Sequence, residues 1–259
     1  FRLRMKILLT NDDGIESIGL ITLKTALEKS HDVWVVAPDR ERSAMSHAVT
    51  LRDGVTFRQL GDQAFSCTGT PADCVLYSLL GALAFVPDLV MSGINRGPNI
   101  GTDIIYSGTV AAARQAALMG CPGIAVSLAG HDVNLDYTAA ASFIVENAAA
   151  LAGLWTDNHF ININFPDKIV FSAGVCVTHP SRRVYEDNLV VRSESKTTKT
   201  FALEGALNYA EYEEGSDWEA IKSGAVSVSP ILLHPLNQSG NEAYHSIKFK
   251  GPVAREQAG

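Results

Sequence analysis

Short apolar runs alternate with helical periodicities along the first two thirds of the chain. Ile7, Leu8 and Leu9 are consecutive, the pattern of a strand buried on both faces of a parallel sheet. The run halts at Thr10-Asn11-Asp12-Asp13-Gly14, after which Ile18, Leu20, Ile21, Leu23, Ala26 and Leu27 recur at helical spacing as far as Ser30. Asp32–Ala37 (DVWVVA) is a second buried strand, and the interval between the two fits one right-handed βαβ unit. Val49–Phe65, broken by Asp53-Gly54 and Gly61-Asp62, predicts a β-hairpin excursion. A helix is expected over Pro71–Phe85, with Thr70 as N-cap, Pro71 in the first position and Asp73 completing an acidic capping box. Asp88–Ser92 is a third strong strand, Ala111–Ala117 a helix, Pro122–Leu128 a strand and Tyr137–Leu154 a helix. Phe160–Asn164 (FININ) is a further strand and a candidate for the edge of the sheet.

After Pro166 the βα rhythm stops. Residues 170–215 mix short strands with charged, Ser/Thr-rich stretches such as Arg192–Lys199, which read as an extension, a flap or an oligomer arm. Gly215-Ser216-Asp217-Trp218 opens a short helix and Val226–Leu233 is the last clear strand. The expected division is therefore an α/β core over 5–168 and an extension over 169–259 that returns one strand, near 226–233, to the core.

Composition narrows the class only a little. The 259 residues are 46% hydrophobic and 19% charged, as in an ordinary globular protein. A net charge of −7, with no basic stripe, argues against a nucleic-acid surface. No apolar run reaches the roughly 18 residues needed to cross a bilayer. Cys67, Cys74, Cys121 and Cys176 lack metal-ligand spacing and read as reduced thiols of a cytoplasmic protein. Phe1–Arg4 carries no signal-peptide pattern and reads as lying ahead of a natural start at Met5.

The candidate chemistry lies where strands end. Asp12 and Asp13 are adjacent carboxylates, which repel unless a cation or strong donors offset them. The second strand leads into Pro38–His47, a polar loop carrying Arg40, Arg42, Ser43, Ser46 and His47. The third leads into Gly93–Gly101, with three glycines, a proline, Asn95 and Asn99. If these strands are neighbours in a parallel sheet, Asp12, Asp13, Ser43 and Asn95 share one edge. Two carboxylates, a hydroxyl and an amide oxygen suit Mg²⁺, Mn²⁺ or Ca²⁺ rather than zinc. Ser107, Gly108 and Thr109 open the alanine-rich helix, where free N–H groups and the helix dipole favour a phosphate, with Ser107 as a plain N-cap the rival reading. A hard cation beside an anion seat suggests phosphoryl chemistry. A dinucleotide fingerprint and a G-x-S-x-G nucleophile elbow are both missing.

TNDDG at Thr10–Gly14, APDRERS at Ala37–Ser43, GTPADC at Gly69–Cys74, SGINRGPNIGTDIIYSGTVAAA at Ser92–Ala113 and GSDWEAIKSGAVSVSP at Gly215–Pro230 resemble the survival protein E (SurE) family over essentially the whole chain. The resemblance implies a Rossmann-like, doubly wound, mostly parallel sheet with helices on both faces. It also implies a β-rich C-terminal extension that exchanges elements within a homodimer or homotetramer. The implied reaction is hydrolysis of nucleoside 5′- and 3′-monophosphates, with short polyphosphate as a further substrate in some members. The implied cofactor is one divalent ion per subunit, Mg²⁺ or Mn²⁺ with Ca²⁺ able to occupy the site, held by Asp12, Asp13, Ser43 and Asn95. Ser107, Gly108 and Thr109 match the family segment near the phosphate, with Asn99 close by. Water activated by the metal is the expected nucleophile, with Asp12 and Asp13 the catalytic residues and any base or nucleophile role of either left open.

Ser17-Ile18-Gly19 departs from the family's more usual Ala-Pro-Gly, and Ala44 stands where glycine is frequent; both changes fall at the expected rim of the pocket. Two rival classes remain. A receiver-like phospho-acceptor module also begins with paired acids, but it needs an aspartate ending its third strand and a lysine ending its fifth, and neither is present here. A non-catalytic nucleotide sensor would keep the same pocket.

Overall fold

The computed structural model describes residues 4–130, 132, 134–168, 173–210 and 213–234. Its first unit is β1 (Lys6–Thr10), α1 (Ile18–Leu27) and β2 (Asp32–Pro38), the two strands pairing in parallel with Ile7 opposite Val33. A hairpin of β3 (Phe57–Gly61) and β4 (Ala64–Cys67) extends the sheet beyond β2. Then follow α2 (Pro71–Tyr77), β5 (Leu89–Arg96), α3 (Gly108–Leu118), β6 (Gly123–Leu128), α4 (Thr138–Gly153) and β7 (His159–Phe165). The last segment holds β8 (Val175–Val177), β9 (Arg183–Glu194), β10 (Lys199–Ala210), α5 (Asp217–Lys222) and β11 (Val226–Leu232).

Nine strands form one sheet in the order β3-β4-β2-β1-β5-β6-β7-β11-β8, and β9 and β10 pair separately as an antiparallel ribbon. Strands β2, β1, β5, β6 and β7 are mutually parallel, and β11 joins antiparallel to β7. Alternation along β1 explains the two-sided packing. Ile7 and Leu9 enter a core with α1 and α4, whereas Leu8 enters another with Val75 of α2 and Ala112 and Ala116 of α3. This is the expected doubly wound α/β architecture with a β-rich C-terminal segment.

Three local expectations change. Strand β7 is internal, with β6 on one side and β11 on the other, so FININ is not an edge. Its alternation put apolar and amide side chains on opposite faces, and nothing local announces a partner more than sixty residues away. The helix expected to reach Phe85 is α-helical only to Tyr77 and runs on as a π-helical turn over Ser78–Ala82; the Ser78 hydroxyl donates to the Cys74 carbonyl, and Gly81, at φ 117°, breaks the helical path. Of the predicted Val49–Phe65 hairpin, only the half from Phe57 onward is strand.

The order of strands reverses at β1: the chain moves to β2 on one side and later returns to β5 on the other. Open α/β sheets bind ligands at the carboxyl ends of strands flanking such a reversal. Thr10, Pro38 and Arg96 end those strands.

Candidate active site

The acidic turn after β1 places its two carboxylates differently. Asp12 is only 5% exposed and turns back against the start of α3. Thr109 donates its hydroxyl to Asp12 Oδ1 at 2.5 Å, and the backbone N–H groups of Gly108 and Thr109 face the same carboxylate. Burial pushes the Asp12 carboxyl up, and these donors pull it back. A Cβ at Gly108 would sit 2.9 Å from Asp12 Cβ and 3.0 Å from its Oδ2, so glycine there is what lets the carboxylate approach. Ser107 caps the helix, its hydroxyl accepting from the Val110 N–H. The first N–H groups of α3 are thus engaged by a resident carboxylate. Gly108 and Thr109, expected near a phosphate, also hold Asp12 in this way.

Asp13 is less enclosed and accepts one long hydrogen bond, 3.3 Å from the Arg96 N–H. Burial, then the charge of Asp12, pushes its carboxyl up to about 6. Neither acid belongs to an ion pair among the described residues.

Strand β5 supplies Asn95. A bulge between Ser92 and Asn95 carries the strand on into the glycine-rich segment, so Asn95 lies within β5 rather than in the loop after it. Its amide nitrogen donates to the Gly97 carbonyl at 2.8 Å, which fixes the opposite orientation for the amide oxygen. Ser43, in the loop after β2, donates to Glu41 Oε1 at 2.8 Å and keeps its lone pairs.

Asp12, Asp13, Glu41, Ser43, Ala44, Asn95, Arg96, Asn99, Asp103, Tyr106 and Ser107 line one cleft of about 350 Å³. All four residues of the expected oxygen set are therefore in it, with Asn99 and Ser107 beside them. The set passes a test of fit for a hard divalent cation: two close carboxylates, both held above their ordinary range, share a cleft with neutral oxygens. A bound cation supplies the charge that offsets them. Among the described residues no three His, Cys, Asp or Glu side chains converge as a metal cluster, so the neutral oxygens are needed to complete a coordination shell.

The remaining loop candidates have other employment. Arg42 donates to the Thr68 carbonyl at 2.6 Å and pairs with Asp39. Ser46 donates to the Ile105 carbonyl at 2.7 Å, and His47 bonds Gln115, burial holding its imidazole below the usual range. Arg40 is exposed. Asp73 forms the expected capping box with Thr70 and also accepts from the N–H and hydroxyl of Thr50.

Two supports of the cleft escaped the sequence reading. Asn99 is held by a buried amide network: its side chain donates to Ser127 Oγ, its N–H to Asn164 Oδ1, and its carbonyl accepts from Asn162 and Asn164. The two asparagines of FININ were the available signal, polar residues at alternate positions of an apolar strand. The turn Gly101–Ile105 is tied to the C-terminal segment, Asp217 accepting from the N–H groups of Gly101 and Ser181. Asp103 in that turn pairs with Arg183 and accepts from the Tyr185 hydroxyl at 2.6 Å.

The Asp13 carboxyl predicts a pH dependence with a definite sign. Its folded value lies above the ordinary 3.8, so its contribution to stability is fully present below pH ~4 and is lost as pH rises through about 6. In EDTA, the stability of wild type relative to Asp13→Asn is expected to fall by about 1–3 kcal/mol from pH 4 to pH 7.5. Urea unfolding of both proteins across that range checks it; a difference that is flat in pH would refute the assignment.

An open α/β sheet with an acidic, oxygen-lined cleft at its topological reversal defines a doubly wound α/β protein whose ligand site lies at the carboxyl ends of its central strands. The sequence profile of the family described as survival protein SurE matches residues 7–187, and the chain belongs to that family. It is 42% identical over 237 residues to the 5′-nucleotidase SurE of Geotalea uraniireducens (strain Rf4), covering 90% of this chain and 95% of that one. It is 41% identical to the 5′-nucleotidase SurE of Geobacter sulfurreducens over 236 residues, covering 90% of each chain. The crystal structure of the SurE protein from Aquifex aeolicus superposes with a TM-score of 0.79 at 32% identity, covering 92% of this chain and 97% of that one.

Proposed function

We propose that the chain is a divalent-metal-dependent phosphomonoesterase that hydrolyses nucleoside 5′- and 3′-monophosphates to nucleoside and phosphate. The observation that carries this reading is the pair Asp12 and Asp13, brought together without an ion pair among the described residues in the cleft that also presents Asn95 and Ser43. Relatives named 5′-nucleotidase at about 40% identity support the substrate class.

The four residues Asp12, Asp13, Ser43 and Asn95 would hold one Mg²⁺ or Mn²⁺, with Ca²⁺ a competent occupant. When bound, such an ion supplies charge neutralisation and Lewis acidity at phosphorus. Asp12 is the fixed member of the set, locked by Thr109 and the start of α3, so its position costs no ordering at the moment of binding. Asp13 is the member open to the cleft. Asn99, Ser107, Gly108 and Thr109 orient the phosphate, the first held rigid by its amide network and the last two also holding Asp12. Water is the nucleophile, and the acid-lined cleft admits the phosphate only with its cation. A homodimer or homotetramer, with the β9–β10 ribbon as the exchanged element, goes with this assignment.

The test is phosphate release from AMP, GMP, CMP, UMP, a 3′-monophosphate and short polyphosphate, in EDTA and with added Mn²⁺ or Mg²⁺. Release that requires metal is the expected result. No release with any metal from a folded sample would overturn it in favour of a nucleotide sensor.

A further inference from the structure

Asp13, Glu41 and Arg96 form a ridge rather than a wall. On its other side lies a second groove of about 210 Å³, lined by those three residues with Glu16, Ser17, Ile18, Gly19 and Tyr137. The first cleft adjoins the start of α3; the second lies between the starts of α1 and α4, which pack on the opposite face of the sheet. A phosphate bound in the first cleft therefore has an outlet for its ester group past Asp13, on the α1 side.

The lining selects what can enter. Asp13, Glu16 and Glu41 disfavour a second phosphate, since like charges repel across so short a span. The same carboxylates accept hydrogen bonds from neutral hydroxyls. Ile18, 62% exposed on an otherwise polar rim, offers an apolar face, and the Arg96 guanidinium can stack on a flat ring. Tyr137 is 6% exposed, and its hydroxyl makes no hydrogen bond among the described residues. A largely buried ring that presents its hydroxyl at a groove can donate to, or accept from, a polar ligand seated there. Neutral hydroxyls together with a flat heterocycle describe a nucleoside.

We propose that this groove is the nucleoside subsite, with Ile18 and Tyr137 as its specificity-determining residues. The proposal rests on the phosphomonoesterase reading and deepens it.

The experiment compares AMP with glycerol 2-phosphate, a monoester that has no base, in wild type, Ile18→Ser and Tyr137→Phe. Adenosine binding by saturation-transfer NMR is measured on the same samples. The ratio of kcat/KM for AMP to that for glycerol 2-phosphate is expected to fall about five- to tenfold in each variant, chiefly through KM, with adenosine binding weakened in parallel. Unchanged ratios and unchanged adenosine binding would overturn the subsite. So would a Tyr106→Ala variant that alone lowers the ratio, since the base would then lie in the first cleft. If wild type releases phosphate from neither ester, the phosphomonoesterase reading fails on its own. Adenosine binding that is lost in Ile18→Ser would still uphold the subsite, and binding indifferent to both variants would remove it.

Discussion

Asp13→Asn is expected to abolish at least 99% of AMP turnover at saturating metal while leaving the chain folded and, in EDTA, more stable than wild type. The two halves of this result share one cause. In the structure the second negative charge sits beside Asp12 with only the Arg96 N–H, at 3.3 Å, and the charge of the Arg96 side chain to offset it. Its carboxyl accordingly stands near 6, and at neutral pH the metal-free fold carries an ionised group that it holds less well than the unfolded chain does. An amide of the same shape removes that cost, about 1–3 kcal/mol, which in a domain of this size raises Tm by several degrees. It also removes one of the two carboxylates in the proposed ligand set, which should weaken metal binding and cost the charge stabilisation on which phosphoryl transfer depends. The measurements are kcat as a function of Mn²⁺ concentration and Tm in EDTA. Wild-type-like turnover at limiting metal would sink the four-residue ligand set.

The second large effect is expected far from the cleft. Asp217, fully buried in α5, accepts from the Gly101 N–H at 2.7 Å and from the Ser181 N–H at 2.9 Å. Gly101 adopts φ 53°, and a Cβ there would lie 2.2 Å from the Ser181 carbonyl oxygen, so the junction has little room for a replacement water. Asp217→Ala strands two buried donors and is expected to cost about 3–5 kcal/mol, seen as a Tm lower by about 10 °C. Turnover should fall as well, because the turn after Gly101 leads directly to Asp103, Tyr106 and Ser107 of the cleft. Asp217→Asn keeps one acceptor and should lose less than half as much. Equal losses in the two variants would mean that one remaining acceptor is not enough and both carboxylate oxygens are required, since asparagine keeps the packing of aspartate; a loss confined to Asp217→Ala would point to packing instead.

These residues also mark what could be read from the sequence. Strand β1, its acidic turn and the Ser107 cap of α3 are each encoded within a few neighbouring residues, so local pattern was enough. The gathering of Asp12, Asp13, Ser43 and Asn95 into one cleft was accessible too, because parallel neighbours carry their following loops to one edge. What escaped was set by distance along the chain. The interior place of β7 depends on β11, and the hold on Asn99 depends on Ser127, Asn162 and Asn164. Asp217 reaches across 116 residues to Gly101. Gly108 and Thr109 were read as an anion seat on sound grounds. That the Asp12 carboxylate would also face this helix start could be seen only once β1 and α3 were placed side by side.

The late arrival of β11 has a consequence for synthesis. Strand β7 is complete at Phe165, yet its free edge is closed only when Val226–Leu232 has been made. At roughly 5–20 residues per second, the ribosome leaves that edge open for several seconds. Throughout that time HFININF is an apolar strand with a row of unpaired N–H and C=O groups, a template for pairing with another nascent chain. Yield of native protein should therefore depend on how quickly the last third is translated, and on whether a chaperone shields that edge while it waits.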